Sequence, residues 1–485
     1  METQRELELI KKIEEMAATI SDLEKQVAML SARIEQLLEE NKELREKLNK
    51  NSRNSSKPPS SDGLKKPSPT NLREKTGKKV GGQDGHKGSN LNIKATPDKI
   101  VKHMPRICEG CAFRERCEGK ACVQEARTVI DAVVKISVTE HQKMVVNHCP
   151  MRNAEKMAGE FPEEIKATIQ YGNNLKALAV ALNTVGTVSI NRIHEILTSV
   201  FGIPISTGTI CNMVKSCAEK IRNVASSIQE KIISSPVVHF DETGIRIDGK
   251  TYWVHISSTG MYTYLSIHSK RGIVGMEGNG VLPKFTGIAV HDCWKPYWRF
   301  EDPQHAVCCA HILRELKGIE ENYPEQKWAS DFKSLLMDME KTKKEALSEG
   351  KTEGDDAIKK EFSNRYGEIL TEAFKTNPIK FDPQNQKRKK KGKILALAER
   401  LANYKEAVCR FFNNFAVPFT NNLAERDLRM TKVKDKVSGC FRTLTGAESF
   451  LLIMSYVGTA KKHGINSHQA ILHAIEGTPD FIFSG

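Results

Sequence analysis

The sequence predicts a multidomain α+β protein, and three observations support this fold class. A heptad repeat occupies about the first 50 residues, and a series of short strands begins near Val237. Between them, cysteines cluster around a Cys-x-x-Cys pair, the spacing of a small metal-binding module. With 485 residues the chain is too long for one ordinary core, and its length suggests about three domains.

The composition is that of a cytoplasmic protein. Hydrophobic residues make up 39% of the chain and charged residues 28%, and no apolar run approaches the ~18 residues of a membrane span. The amino terminus, "METQRELELIKK", lacks the apolar core of a signal peptide. Twelve cysteines in such a protein favour reduced thiols or bound metal over disulfides. We expect no membrane partner.

Residues 1–50 are predicted to form a coiled coil. Apolar side chains recur at alternating spacings of three and four, flanked by Glu, Lys and Arg. The seam consists of Ile13, Met16, Ile20, Leu23, Val27, Leu30, Ile34, Leu37, Asn41, Leu44 and Leu48. Asn41 at an a position favours a parallel dimer, because its amide is satisfied by its counterpart on the partner helix. We expect a homodimer or higher oligomer; the alternative is a helix packed on its own protein.

Residues 51–97 are predicted to form a basic flexible linker. "NSRNSSKPPSSDG" breaks the helix with paired prolines, and "GGQDGHKGSN" has no periodicity. From Asn49 to Arg106 there are 14 Lys and Arg against 4 Asp and Glu, most of the net charge of +14. Such a segment favours a polyanion, because each neutralised phosphate releases a condensed counterion. We interpret it as a DNA-contacting arm, with a solvated tether as the alternative.

Residues 98–155 are predicted to form a zinc-binding module. A Cys-x-x-Cys knuckle holds two thiolates on one tetrahedral ion, and a second pair has to close the site. The candidate zinc ligands are Cys108, Cys111, Cys117 and Cys149. The second pair is ambiguous, because Cys122 and His148 are also available. Free thiols are the other interpretation.

Residues 156–230 are predicted to contain a helix-turn-helix. "SINRIHEILTSVFGIPISTGTICNMV" has the pattern of a helix, a turn through Gly202 and Pro204, and a second helix capped by Ser206 or Thr207. The second helix would be available for a DNA major groove. The candidate DNA contacts in this region are Arg192, Thr207, Thr209, Asn212 and Lys215. Two packed helices without a DNA role are the alternative.

Residues 231–445 combine short strands with carboxylates at predicted strand ends. Val237 to Phe240 is an apolar strand that ends on Asp241, and the strands that follow have the pattern of an antiparallel meander. "GIAVHDCW" is a further strand, and it ends on Asp292. Charged helices at about 320–418 are predicted to form an insertion.

A third carboxylate follows the insertion, in "TNNLAERDLRMTKVKDKVSGC". Helical spacing predicts an apolar stripe formed by Leu423, Met430, Val433 and Val437. Glu425 falls on the opposite arc together with three cations. These cations are further candidate DNA contacts: Arg429, Lys432 and Lys436. Residues 446–485 are predicted to form a helical C-terminal tail.

The three carboxylates are suited to hold a pair of Mg²⁺ or Mn²⁺ ions, which take hard oxygen ligands and leave positions for water and phosphate. Each has an ordinary alternative, since Asp241 fits a turn, Asp292 a cap, and Glu425 a capping box with Asn422. Along the chain, Asp241 lies in the strand meander and Asp292 follows a later strand. The helical insertion comes next, and after it the helix that carries Glu425 and the cations. That order is the layout of a ribonuclease-H-like nucleotidyl transferase.

The sequence resembles the DDE transposases of the insertion sequence 66 family over essentially its whole length. "NSRNSSKPPSSDG" and "GGQDGHKG" are similar to that family's linker, and "FDETG", "HDCWKPY", "CCAHILREL" and "NNLAERDLR" to its catalytic-domain motifs. The resemblance implies catalytic Asp241, Asp292 and Glu425, a zinc module, and a helix-turn-helix that recognises element ends. It also implies metal-dependent cleavage and strand transfer on double-stranded DNA, at element ends and target, by a nucleoid-associated protein.

The sequence departs from the family pattern in the zinc module, and two other functions remain open. The family commonly uses two Cys-x-x-Cys pairs, whereas Arg152 stands where the last Cys would be. A DNA-binding regulator derived from a transposase would keep the dimer seam and the helix-turn-helix but would not nick DNA with Mg²⁺. A nuclease would cut DNA without joining it.

Overall fold

A computed structural model describes most of the chain. The described residues are 2–55, 99–108, 110–118, 122–124, 126–127, 129, 135–147, 151, 157–379 and 392–483. They form a mixed α+β protein, which confirms the predicted class. The chain separates into two compact units, one formed by Met1–Leu64 with Gln142–Gly485 and the other by Lys65–His141.

The larger unit begins with helix α1, Glu2–Asn49, an uninterrupted helix of 48 residues. The predicted seam is exposed along it, with 61% of Ile13 accessible to solvent. Near its C-terminal end α1 contacts the rest of the same unit. Lys42 Nζ lies 2.6 Å from a Glu325 carboxylate oxygen, and Asn54 Nδ2, just beyond the helix, donates to Glu321 Oε2 at 2.8 Å. Among the described residues, these contacts join α1 to the body near the C-terminal end of the helix.

The smaller unit contains two short helical segments among its described residues. They are a 3₁₀ helix at Arg106–Cys108 and helix α2 at Arg114–Glu118. Most of the predicted basic linker, residues 56–97, lies outside the described residues, as does most of the basic run "QKRKKKGK".

A two-stranded ribbon and four helices precede the main sheet in the larger unit. Strands β1 and β2 pair in antiparallel fashion, and the helices follow a period of about 3.6 residues in their buried positions. The bounds are β1 (Val145–Val146), β2 (Met157–Ala158), α3 (Asn173–Thr184), α4 (Ile190–Ser199), α5 (Thr207–Lys220) and α6 (Arg222–Ile233). Helices α4 and α5 lie where the sequence predicts a helix pair, and Gly202 turns the chain between them with φ +63°. Ser206 caps α5 by accepting the backbone N–H of Thr209.

The main sheet has five strands and mixed pairing. Its members, with the helix between the fifth and sixth strands, are β3 (Val237–Ile247), β4 (Lys250–Ser258), β5 (Thr263–His268), α7 (Ile273–Asn279), β6 (Ile288–His291) and β7 (Gln304–Val307). The order is β5-β4-β3-β6-β7, with β3, β4 and β5 antiparallel and with β6 and β7 parallel to β3. The predicted meander is thus confirmed, and β3 is the central strand.

Eight α-helices follow β7 among the described residues. In order they are α8 (Cys309–Asn322), α9 (Lys327–Ser348), α10 (Asp356–Thr376), α11 (Lys393–Asn403), α12 (Lys405–Asn413), α13 (Asn422–Ser438), α14 (Leu444–Lys462) and α15 (Ser467–Glu476). Helices α9 to α12 occupy the predicted insertion, and α14 and α15 occupy the predicted helical tail. None of the described helices is long and apolar enough to cross a membrane.

Three hydrophobic clusters meet around the central strand. Val238 and Phe240 of β3 belong to a cluster that also takes in α3 to α6, α14 and α15. Val290 of β6 belongs to a second cluster with α8 to α12, and Ile245 of β3 to a third with α13 and α14. The polar segment of β3 between Phe240 and Ile245 therefore lies where the three clusters adjoin.

The apolar stripe predicted on α13 is wrong. The buried positions of this helix are Ala424, Leu428, Thr431 and Lys434, whereas Val437 is 45% exposed. Helix α13 packs against β3 and β4 through this face. The aliphatic stem of Lys434 is buried, while its Nζ donates to the carbonyl oxygens of Asn183 and Val188. A charged residue thus lies on the buried face of α13, where a prediction from hydrophobicity places only apolar residues.

Candidate active site

Asp241 lies within the central strand rather than at its end. The prediction that the strand ends at Asp241 is wrong, because β3 continues to Ile247 and pairs with β4 along the segment, Asp241 standing opposite Ile256. The pairing that stops just before Asp241 is the parallel one with β6, whose last pair here is His239 with Val290. In the described sheet, Asp241 therefore has no pairing partner on the β6 side of β3.

Asp292 follows β6 at the matching position. Continuing the parallel register two residues beyond His239 and Val290 brings Asp241 beside Asp292, and neighbouring strands lie about 4.8 Å apart. The Asp292 carboxylate accepts the backbone N–H of Trp294 at 2.9 Å. This bond to the residue two positions on orients the carboxylate. Asp292 does not cap the following segment, because the 3₁₀ helix Lys295–Arg299 has Trp294 at its N-cap and no side-chain cap hydrogen bond.

Glu425 is brought to the same place by Asn421, the residue that starts α13. Asn421 Nδ2 donates to the Phe240 carbonyl oxygen at 2.8 Å, and its Oδ1 lies 2.7 Å from His239 Nδ1. Both bonds are buried and tie the start of α13 to β3 just before Asp241. Glu425 lies in the first turn of α13, and its backbone N–H bonds to the Asn421 carbonyl. Asn421, rather than Asn422, is the N-cap, and its side chain makes no cap hydrogen bond.

The electrostatics of Asp241 reflect this convergence. Burial raises the pKa of its carboxyl well above the usual range, and the nearby charges of Glu242, Asp292 and Glu425 raise it further. Burial also raises the pKa of Asp292, against the Trp294 N–H and the charges of Arg271 and Arg400. The charges of Asp292 and Glu425 thus both act on Asp241, which places the three predicted carboxylates in one region of the larger unit.

Glu242, the neighbour of Asp241, is occupied by other partners. Arg271 donates to its Oε1 through Nε at 3.0 Å and Nη2 at 2.8 Å, and the Tyr297 hydroxyl donates to its Oε2 at 2.7 Å. The Arg271 guanidinium lies 4.1 Å from the Trp294 ring centroid. The pKa of Glu242 is raised by burial and by Asp292, and these hydrogen bonds oppose the rise. Sequence reasoning assigned no role to Arg271, in the connection between β5 and α7. It assigned none to Tyr297 either, which lies in the 3₁₀ helix Lys295–Arg299 and closes the motif "HDCWKPY".

Glu425 also lies beside a cysteine and a histidine. One ligand atom each from Cys308, His311 and Glu425 lie within 4.8 Å of one another. His311 Nδ1 is 3.9 Å from Glu425 Oε1. Sequence reasoning did not assign Cys308 or His311 to any site. Their Cys-x-x-His spacing at the start of a helix was the available signal, because it places both side chains on one face.

The candidate DNA contacts differ in accessibility. Four of those on α4 and α5 are exposed or nearly so: Arg192, Thr207, Asn212 and Lys215. Thr209 is engaged with Ser206 in the cap of α5, at 2.9 Å between hydroxyl oxygens. On α13, Arg429 and Lys436 are exposed, whereas Lys432 Nζ donates to the Gly244 carbonyl of β3.

The candidate zinc ligands fall mostly outside the described residues. Cys149 lies outside them, as do the side chains of Cys108 and Cys117 and the alternative ligand His148. Cys111 is exposed with a free thiol. The zinc module therefore stays a prediction.

Comparisons with known proteins identify the family. The sequence model described as "Transposase IS66 family" matches residues 168–449, more than half of the chain. This match spans the whole main sheet and helix α13, with the positions of Asp241, Asp292 and Glu425. A second model, for a family of unknown function, matches residues 3–92, and the search of curated proteins found no match. The resemblance stated from the sequence is confirmed: the chain belongs to the IS66 family of transposases.

Proposed function

We propose that the protein binds the ends of its insertion element and catalyses DNA strand cleavage and strand transfer, with Asp241, Asp292 and Glu425 as the catalytic carboxylates. The observation that carries this proposal is their convergence from three separate parts of the chain. Bringing like charges together in a buried place costs free energy. Divalent cations bound by the carboxylates would offset this cost.

The donor set fits Mg²⁺ or Mn²⁺ at these three carboxylates. All the donors are carboxylate oxygens, the ligands that both ions prefer. Among the described residues, Glu425 Oε1 is buried and has no hydrogen-bond partner, although its charge acts on Asp241. When bound, such ions activate the attacking oxygen and stabilise the leaving oxygen of a phosphodiester.

The protein's own residues set the geometry of the reaction. Asp241 and Asp292 are fixed by adjacent parallel strands, and Asn421 fixes Glu425 against the same strand. In the proposed reaction, water attacks the phosphodiester at the element end, and the freed 3′ hydroxyl then attacks target DNA in line. No covalent protein intermediate is needed. Exposed Arg429 and Lys436, on the helix that carries Glu425, are positioned to contact DNA phosphates.

The same proposal assigns roles to the other segments. The β5-β4-β3-β6-β7 order, antiparallel on one side and parallel on the other, supports a ribonuclease-H-like assignment for residues 231–445, with α9 to α12 as its insertion. Exposed positions on α5 support the helix-turn-helix at 156–230 as the reader of element ends. The exposed seam of α1 supports a homodimer through residues 1–50. We further propose zinc binding by residues 98–155, DNA contact by the linker, and action on DNA in the nucleoid.

The test is cleavage and joining of labelled element ends by purified full-length protein with Mg²⁺. Asp241→Ala should abolish nicking while band-shift binding of the ends is kept. Glu277→Ala, at an exposed carboxylate of α7, serves as the control and should cut normally. Nicking retained by Asp241→Ala would reject the triad. Specific binding without nicking by the wild type would support the regulator, and nicking without joined product the nuclease.

A further inference from the structure

Cys308, His311 and Glu425 form a cluster at the meeting point of two helices. Cys308 is the N-cap residue of α8 and is fully buried, and His311 lies in the first turn of the same helix. Glu425 reaches them from the first turn of α13. Because Cys308 and His311 are three residues apart on one helical face, both side chains point to Glu425. The ligand atoms lie within 4.8 Å of one another.

Two polar atoms of this cluster are buried without a hydrogen bond. His311 Nδ1 and Glu425 Oε1 both lack a partner among the described residues, and the 3.9 Å between them is too long for a hydrogen bond. Leaving such an atom without a partner costs free energy, so two of them facing each other require an explanation. A tetrahedral ion bound at usual N and O distances would hold these atoms about 3.4 Å apart, close to the separation found.

The chemistry of the donors indicates the class of ion. Thiolate sulfur, imidazole nitrogen and carboxylate oxygen together suit a borderline ion of the zinc class, whereas Mg²⁺ takes oxygen ligands alone. The sulfur already has a supporting donor, because the Asn421 backbone N–H points to Cys308 Sγ at 3.1 Å. Hydrogen bonds of this kind orient and stabilise metal-bound ligands. Three protein ligands also leave a fourth position for water.

We propose that Cys308, His311 and Glu425 bind a divalent ion of the zinc class beside the carboxylate pair Asp241 and Asp292. On binding, the Cys308 thiol releases its proton to solvent and the sulfur bonds to the ion. Glu425 is then shared between this ion and the proposed catalytic site. The proposal concerns binding and does not depend on strand transfer.

Co²⁺ is the probe, because its bonds to thiolate give near-ultraviolet charge-transfer absorption. Metal-free full-length protein, kept reduced, is titrated with Co²⁺, and bound metal is counted after gel filtration. Co²⁺ bound by the cysteine module at 98–155 is the same in every variant. Binding at the Cys308 cluster is therefore measured as the difference in bound Co²⁺ between wild type and variant. Wild type should bind one more Co²⁺ per chain than Cys308→Ser, with a corresponding loss of charge-transfer absorption. Zn²⁺ should displace this Co²⁺.

Cys309→Ser is the matched control. Cys309 is equally buried and adjacent, but its Sγ lies 3.8 Å from the carbonyl oxygens of Val307 and Val408 rather than in the cluster. This variant should keep the wild-type spectrum and stoichiometry. Identical binding by wild type, Cys308→Ser and Cys309→Ser would overturn the proposal.

His311→Gln keeps the Cys308 thiol, and it tests the same site independently if Cys308→Ser does not fold. It should weaken Co²⁺ binding at this position at least about tenfold, because losing even a hydrogen-bonding partner of a metal ligand typically weakens binding about 10–100-fold. Circular dichroism should be unchanged. Unweakened binding by His311→Gln would also overturn the proposal. Asp241→Asn tests the catalytic proposal separately from the metal site proposed here. It should remove nicking but keep the Cys308-dependent Co²⁺ absorption.

Discussion

At Asp241, the folded protein holds a carboxylate where burial and neighbouring charges both oppose ionisation. Its pKa is raised well above the usual range for these reasons, in the order burial, Glu242, Asp292 and Glu425. A residue of this kind destabilises the metal-free fold at neutral pH, because the folded state resists a charge that the unfolded chain carries freely. The site is therefore expected to gain stability from a cation or from removal of the charge.

Asp241→Asn should stabilise the metal-free protein while removing nicking. The amide keeps the shape of the side chain and removes one buried like charge, so the free energy of unfolding should rise on the order of 1 kcal/mol. Mg²⁺ should then raise the melting temperature of the wild type more than that of the variant. Urea and thermal unfolding with and without Mg²⁺ measure both effects.

The control for this change is Asp248→Asn, the same substitution at an exposed turn between β3 and β4. It should alter neither stability nor the Mg²⁺ effect appreciably. Equal behaviour of the two variants would contradict electrostatic repulsion at Asp241.

His255 gives the fold a dependence on pH. Burial lowers the pKa of its imidazole to about 4, whereas an unfolded histidine titrates near 6.5. Below pH 6.5 the unfolded chain binds a proton that the folded chain does not. The contribution of His255 to the free energy of unfolding therefore falls by about 1.4 kcal/mol per pH unit until about pH 4. Urea unfolding at pH 7 and pH 5 should show a smaller loss for His255→Gln than for wild type. His141→Gln, at an exposed histidine, should keep the wild-type loss, and an unchanged slope in His255→Gln would refute the assignment.

At the scale of elements, the site depends on how α13 is attached to β3. Asn421 makes this attachment with two buried hydrogen bonds, to the Phe240 carbonyl and to His239. Neither partner is adjacent to Asn421 in sequence, and the two Asn residues of "TNNLAE" give no sign of a distant strand. The position of Glu425 is thus set by a contact that only the folded chain reveals.

Asn421→Ala should lower both stability and nicking. It leaves the Phe240 carbonyl and His239 without these partners, at a cost of about 1–3 kcal/mol for each unsatisfied buried group. The nicking rate should fall further than stability accounts for, because Glu425 loses its fixed distance from Asp241. Asn422→Ala, at the exposed neighbouring residue, should change neither quantity. If the two variants unfold and nick alike, Asn421 does not position Glu425.

The elements differ in how far the sequence predicts them. The α1 seam, the strands at Val237 to Phe240 and before Asp292, and the helical insertion follow from periodicity and turn residues. The course of β3 through "DETG" does not, because those residues favour a turn, and only pairing with β4 keeps them extended. The three carboxylates were predicted from their order along the chain. Cys308 and His311 were not assigned, since their significance depends on Glu425 lying beside them.

At the scale of the whole molecule, α1 presents its apolar seam to solvent. Its contacts to the body lie near its C-terminal end, so most of the seam is available to a second copy. Burying an exposed leucine in such a seam stabilises association by about 1.5–3 kcal/mol per side chain.

Leu23→Lys with Leu30→Lys should convert the proposed dimer to a monomer, because both charges would face the partner helix. Light scattering coupled to gel filtration measures the mass. Leu7→Lys with Met29→Lys changes two residues, each 68% exposed, that lie off the seam, and this pair should remain dimeric. A monomeric wild type, or a dimeric seam variant, would exclude the coiled coil as the interface.

The helical insertion also determines when, during translation, a nascent chain contains all three proposed catalytic carboxylates. It separates Asp292 from Glu425 by roughly 130 residues, and ribosomes add about 5–20 residues per second, so roughly 7–26 s pass between synthesis of the two carboxylates. Throughout that interval the emerging polypeptide lacks the third member of the proposed triad. On the proposed mechanism, chains truncated within the insertion would lack Glu425 and would therefore not cut the DNA around them.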